Sequence, residues 1–125
     1  MCLSKLSSLT SYKEIKLNCS IVGSIVLPIK TLGLYEFIKL HAVASGVENI
    51  LIGMEHKNNR IELTDHTEYL ANSFDFKGEF PNLNYNECVY LEQSNDFKPV
   101  GGDCNQLFDS YCLWKGKIAR QIFLL

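Results

Sequence analysis

Val100 to Lys117, VGGDCNQLFDSYCLWKGK, sets a cysteine between a glycine pair and an apolar stretch of helical period. Asp103 stands where an N-cap belongs, Gln106 three residues later completes an acidic capping-box pattern, and Gly116 falls at a C-cap position. The pattern predicts a helix from Asp103 to Lys115 with Cys104 in its first turn. At 3.6 residues per turn, Leu107, Phe108, Tyr111 and Cys112 share the face of Cys104, which turns the thiol toward the edge of a core. A thiol so placed feels the positive end of the helix dipole and nearby unpaired N–H groups, which favour the thiolate. The same residues allow a second reading, in which Cys104 packs as a small hydrophobe.

Composition limits what surrounds this stretch. A chain of 125 residues, 46% hydrophobic, can bury one sizeable core, so a single domain over residues 1–125 is expected, with residues 1–12 as a flexible start. A net charge of −2 and the absence of a Lys/Arg cluster argue against nucleic acid as a partner. Lys5 and the serines and threonines of MCLSKLSSLTSYKEIKLN interrupt any signal-like apolar run, and no stretch approaches membrane-spanning length. A soluble cytoplasmic protein is the expectation. Cys2, Cys19, Cys88, Cys104 and Cys112 are odd in number and lack CxxC spacing, so neither a zinc ribbon nor a disulfide framework is expected. His41, His56 and His66 lack HxxxH or HExxH spacing, and no structural metal site is expected.

The chain shows no internal repeat, low-complexity tract or charge block. Residues 14–29, EIKLNCSIVGSIVLPI, are rich in β-branched side chains and broken at Gly23, which predicts one strand and then a second from Ser24 to Ile29. Residues 49–64 carry two apolar runs about Lys57-Asn58-Asn59, a hairpin pattern. DHTEYLANSF, residues 65–74, reads as a short helix capped by Thr64 or Asp65, ECVYLEQ (87–93) as a strand, and NDFKPVGG (95–102) as a loop. Residues 31–46 are ambiguous. Leu34, Phe37, Ile38 and Leu40 fit a helical period, while IKLHAVA alternates like a strand.

DCNQLFDSYCLWKGKIARQI resembles the NC-box of the lecithin retinol acyltransferase-like family, circularly permuted relatives of NlpC-type papain-fold peptidases. Asp103-Cys104, Leu107-Phe108, Tyr111-Cys112, Gly116 and Arg120-Gln121-Ile122 match its positions in order, with Asp103 in place of the family's asparagine and Asn105-Gln106 in place of its Glu-His. Upstream, GSIVLP (23–28) and LHAVASGVENILIGM (40–54) are similar to the family's first strand and its H-box, with His41 at the base position and Gly46 at the turn. The family's second histidine would fall at Ile52 or Gly53, so a third catalytic partner is missing. The resemblance spans about residues 22–122 and implies an α+β permuted papain-like fold, an antiparallel sheet packed against a nucleophile-bearing helix, with residues 38–46 as strand.

The resemblance further implies cysteine-dependent acyl transfer or hydrolysis. His41 would take the proton of Cys104, the thiolate would attack an ester or amide carbonyl, and backbone N–H groups at the helix start would hold the oxyanion. The resemblance implies a phospholipid or other acyl donor as partner and no metal or organic cofactor. The chain's last residues, IFLL, are too few to span a bilayer, so membrane contact through Leu124-Leu125 would be peripheral. Two alternatives stand beside the enzyme: a non-catalytic H-box/NC protein of viral type that binds a host protein, and a small inhibitor- or immunity-type binding protein.

Overall fold

The computed structural model describes residues 3–6, 9–57, 60–67 and 87–114. Its elements run β1 (Leu3–Lys5), α1 (Tyr12–Ile21), β2 (Ser24–Val26), α2 (Leu32–Ser45), β3 (Asn49–Lys57), β4 (Arg60–Leu63), β5 (Glu87–Glu92), a single 3-10 turn (Gln93–Asn95), β6 (Lys98–Asp103) and β7 (Asp109–Trp114). The sheet is mixed, in the order β1-β7-β3-β5-β6, with β2 also on β7 and β4 also on β3. Among the described residues, only β3 and β7 run parallel, and the other pairs are antiparallel.

Strand alternation divides the core in two. Ile50, Ile52 and Met54 of β3, Val89 and Leu91 of β5 and Tyr111 of β7 meet Tyr35, Ile38 and Ala42 of α2. Leu51, Cys88, Tyr90 and Cys112, on the opposite face, meet Tyr12, Ile15 and Cys19 of α1. The two helices therefore cover opposite faces of one sheet. Two disulfides staple the α1 side: Cys19–Cys112 ties the helix to β7 with Cα atoms 5.5 Å apart, and Cys88–Cys104 ties β5 to the turn after β6 with Cα atoms 5.2 Å apart. The expectation of unpaired cysteines is corrected on four of the five, because sulfurs far apart in sequence are brought into bonding range by the sheet.

Four local expectations change as well. Residues 12–21 are helix instead of strand, since Tyr12, Ile15 and Cys19 bury one stripe at helical spacing, which outweighs the β-branched content. The ambiguous segment 31–46 is helix over Leu32–Ser45, against the strand that the resemblance implied for 38–46, because the Thr31 side chain accepts from the Leu34 N–H at one end and Gly46, at φ 68°, closes the other in the left-handed conformation. The predicted helix from Asp103 is a turn followed by β7. The Asp103 carboxylate does cap, but it accepts from the Asn105 N–H two residues on, the Gln106 N–H closes on the Asp103 carbonyl, and the chain then extends. The expected loop at 95–102 is mostly strand β6, laid against β5 from Glu87↔Asp103 to Glu92↔Lys98.

The hairpin at 49–64 forms as expected, with Met54 opposite Leu63 and Lys57 opposite Arg60. The strand at 87–93 forms over Glu87–Glu92, and Ser24–Ile29 forms strand over its first three residues. The Asn58-Asn59 turn, nearly all of the helix expected at 65–74, and the residues from Lys115 onward, including Gly116, Arg120-Gln121-Ile122 and Leu124-Leu125, lie outside the described residues.

Candidate functional site

Cys104 sits in the turn between β6 and β7, half-buried, with its sulfur bonded to that of Cys88. No thiolate forms there while that bond stands. His41 lies in the third turn of α2, where its Nδ1 is 2.7 Å from the Tyr111 hydroxyl and the two rings meet edge to face at 5.4 Å between centroids. Burial, and then the charge of Asp109, push the Tyr111 phenol up, and its hydroxyl shares a hydrogen bond with the His41 imidazole whose direction follows the ring's tautomer. His41 thus anchors α2 on the face of the sheet opposite the one that holds Cys104. The structure does not bring the two together.

Ile52 and Gly53 are equally committed to structure. Ile52 is in the core beneath α2. Gly53 donates its N–H to the Leu27 carbonyl at 2.8 Å and accepts from the Thr64 N–H at 3.0 Å, and a Cβ there would stand 2.5 Å from the Val26 carbonyl oxygen. His66 is exposed in the turn after β4, 3.7 Å from Glu62. Among the described residues, no group of three or more His, Cys, Asp or Glu side chains converges as a metal site.

The outward side of α2 is the unusual surface. Tyr35, Ile38 and Ala42 face the sheet, and the Tyr35 hydroxyl donates to the Phe97 carbonyl at 2.9 Å while Lys39 pairs with Asp96. The opposite side carries Phe37, 55% exposed, Leu40, 72%, and Val43, 67%, with the half-buried Glu36 between Val43 and Leu40 on the helical wheel. Beside them a cavity of about 540 Å³ opens between the helix start and β1, lined by Leu3, Thr31, Gly33, Leu34 and Phe37. Helix α1 also exposes Leu17 and Ile21, but beside the exposed Lys13 and Glu14. Contiguous exposed apolar surface marks an interaction site. Its signal was present in the sequence as the helical period of Leu34, Phe37, Ile38 and Leu40. What was missed is that the outward side of this helix stays uncovered by the described residues.

No family model matches the chain, and no curated protein matches it in sequence. Solved structures do match. Human lithostathine superimposes with a TM-score of 0.74 at 20% identity, covering 92% of this chain and 83% of that one. The C-type lectin domain of murine dendritic cell inhibitory receptor 2, in complex with an N-glycan, gives 0.73 at 20%, covering 91% of each. TC14, a C-type lectin from the tunicate Polyandrocarpa misakiensis, gives 0.72 at 11%, covering 89% of this chain and 94% of that one. The fold is that of C-type lectin-like domains, a small disulfide-bonded α+β architecture. This overturns the resemblance to the lecithin retinol acyltransferase-like family and the permuted papain-like fold inferred from it. The acyl-transfer or hydrolase function drawn from that resemblance falls with it: the motif order that suggested it belongs to a turn, a strand and a helix that serve a different sheet.

Proposed function

We propose that the chain is a non-catalytic recognition domain that binds a protein partner through the outward face of α2 and the groove beside it. The observation that carries the reading is the run of exposed Phe37, Leu40 and Val43 on a helix whose other side is fixed to the sheet. An apolar face suits a protein surface, because sugars are held mainly by hydrogen bonds to their hydroxyls. The likeness to a receptor's lectin domain and to lectins supports recognition as the task. The reading keeps the binding alternative drawn from the sequence and drops its viral and H-box/NC ancestry. In place of the cytoplasmic expectation, we propose an oxidising compartment, since the disulfides Cys19–Cys112 and Cys88–Cys104 form and persist there.

The test places a photo-reactive side chain at Leu40 in one sample and at Lys13, on the outer face of α1, in another. A protein cross-linked from position 40 alone, displaced by excess untagged wild-type chain and not by Leu40→Glu, is the expected result. Equal cross-linking from both positions, or saturable binding to a glycan array that Leu40→Glu leaves intact, would overturn it.

A further inference from the structure

We infer that Asn18, at an exposed position of α1, is an N-glycosylation site that is filled before α1 folds; the inference rests on the reading of an oxidising compartment, where such transfer takes place. Asn18-Cys19-Ser20 is the one Asn-x-Ser/Thr sequence among the 125 residues. In the transfer, the Asn18 amide nitrogen attacks C1 of an oligosaccharide carried on a lipid diphosphate. The N–C1 bond forms, the C1–O bond to the phosphate breaks, the lipid diphosphate leaves, and the amide gives up one proton to a base of the transferase. The folded domain has room for the product. Asn18 faces solvent, while Tyr12, Ile15 and Cys19 carry the burial of the helix. Ile21 and Val22, one helical turn further on, are exposed on the same side, so a glycan held at Asn18 covers apolar surface that the described residues leave open.

The finished helix is not the substrate. Transfer requires the Asn amide and the hydroxyl two residues on to be presented together, and residues two apart on a helix point about 200° apart. In α1 the Ser20 hydroxyl instead donates to the Leu17 carbonyl at 2.8 Å, and Cys19 between the two is buried and bonded to Cys112. Modification therefore comes first, and the order of synthesis leaves time for it. A helix of 10 residues is marginal on its own, so α1 waits for the strands it packs against. Cys112 is made 93 residues after Cys19, and at ~5–20 residues per second the site stands open for about 5–20 s before its disulfide partner exists. The bond to Cys112 then closes over a chain that already carries the sugar.

Translation of the full chain, behind a cleavable leader, into endoplasmic-reticulum microsomes tests the proposal. The expected result is a mobility shift that an N-glycan amidase removes and that is lost in Asn18→Gln and in Ser20→Ala. Both positions are exposed, so these variants keep their fold, and Ser20→Thr, which restores the hydroxyl, should keep the shift. Oxidised, folded chain given to the same microsomes in detergent after synthesis should stay unmodified. An unshifted wild-type chain, a shift that survives Asn18→Gln, or modification of the folded chain as complete as that of the nascent one would overturn the inference. Non-reducing peptide mass analysis of the same samples separates the two readings. Two closed disulfides on an unshifted chain would sink the glycosylation site and leave the compartment reading standing; free thiols at Cys19, Cys88, Cys104 and Cys112 in the microsome lumen would sink both.

Discussion

Tyr12 shows how much one side chain is asked to do at the start of α1. Its ring is buried with Ile15 and Cys19 beneath the helix, and its hydroxyl donates to the Glu55 carboxylate, with Glu62 facing Glu55 across the β3–β4 hairpin. Burial first, then the charge and hydrogen bond of Glu55, raise the phenol far above its ordinary range. A group whose proton is held more tightly in the folded state contributes stability that is complete below its unfolded pKa, about 10, and is lost as pH rises beyond it. Tyr12→Phe should therefore cost about 1 kcal/mol at pH 8, where the hydrogen bond is intact, and the gap to wild type should narrow above pH 10. Urea unfolding at both pH values measures it. A gap that does not change with pH would show that the hydroxyl is not the group responsible. Tyr90 and Tyr111 are raised in the same direction, so wild type and variant both keep some alkaline decline.

At the scale of elements, β3 is where most of the molecule meets, and Gly53 is where it meets most closely. The strand pairs with β5 on one edge and with β7 and β4 along the other, and the segment after β2 crosses over Gly53 so near that the Val26 carbonyl and the Thr64 side chain fill the space of a Cβ. Gly53→Ala should lose about 1–3 kcal/mol, because the atoms that must move are backbone on one side. A shift in the unfolding midpoint with an unchanged denaturant slope would check it; a neutral substitution would mean that β2 and β4 can separate without cost. The hairpin of β3 and β4 and the strand β5 were legible in the sequence, since each is decided by a local run of apolar residues and the turn next to it. Asp103 was legible as a capping residue but not as the cap of a turn, because its carboxylate satisfies a nearby N–H in the same way in both. The conformation of residues 109–114 is decided at a distance: β7 is strand because β1, β2 and β3 hydrogen-bond along its two edges. Helix α2 was hidden for a related reason, since its apolar residues run round the whole helix and blur the single stripe on which a periodicity reading depends.

For the molecule as a whole, the two disulfides decide which parts of the chain hold together, and their pairing could not be read from cysteine spacing. Cys19 and Cys112 are 93 residues apart, and only the packing of α1 on β7 brings them within reach; Cys88 and Cys104 are 16 apart and are brought together by the β5–β6 pairing. The same separations rank their contributions. Closing the long loop removes more freedom from the unfolded chain, about 4–5 kcal/mol on the chain-entropy account against about 3 for the short one. Both pairs lie in the same buried cluster beneath α1, so replacing either by alanine removes similar packing and the loop term is what separates them. The Cys19→Ala/Cys112→Ala chain should accordingly unfold at lower urea than the Cys88→Ala/Cys104→Ala chain, and both below wild type. With β5 and β6 already joined by a continuous ladder, the short link should mainly steady the turn at Asp103, leaving α1 docked; the long link, once gone, should release α1 first, seen as faster amide exchange across Tyr12–Ile21 than across β3. The opposite order of midpoints, or uniform exchange in both variants, would mean that α1 is held by its apolar contacts and not by the bond to β7.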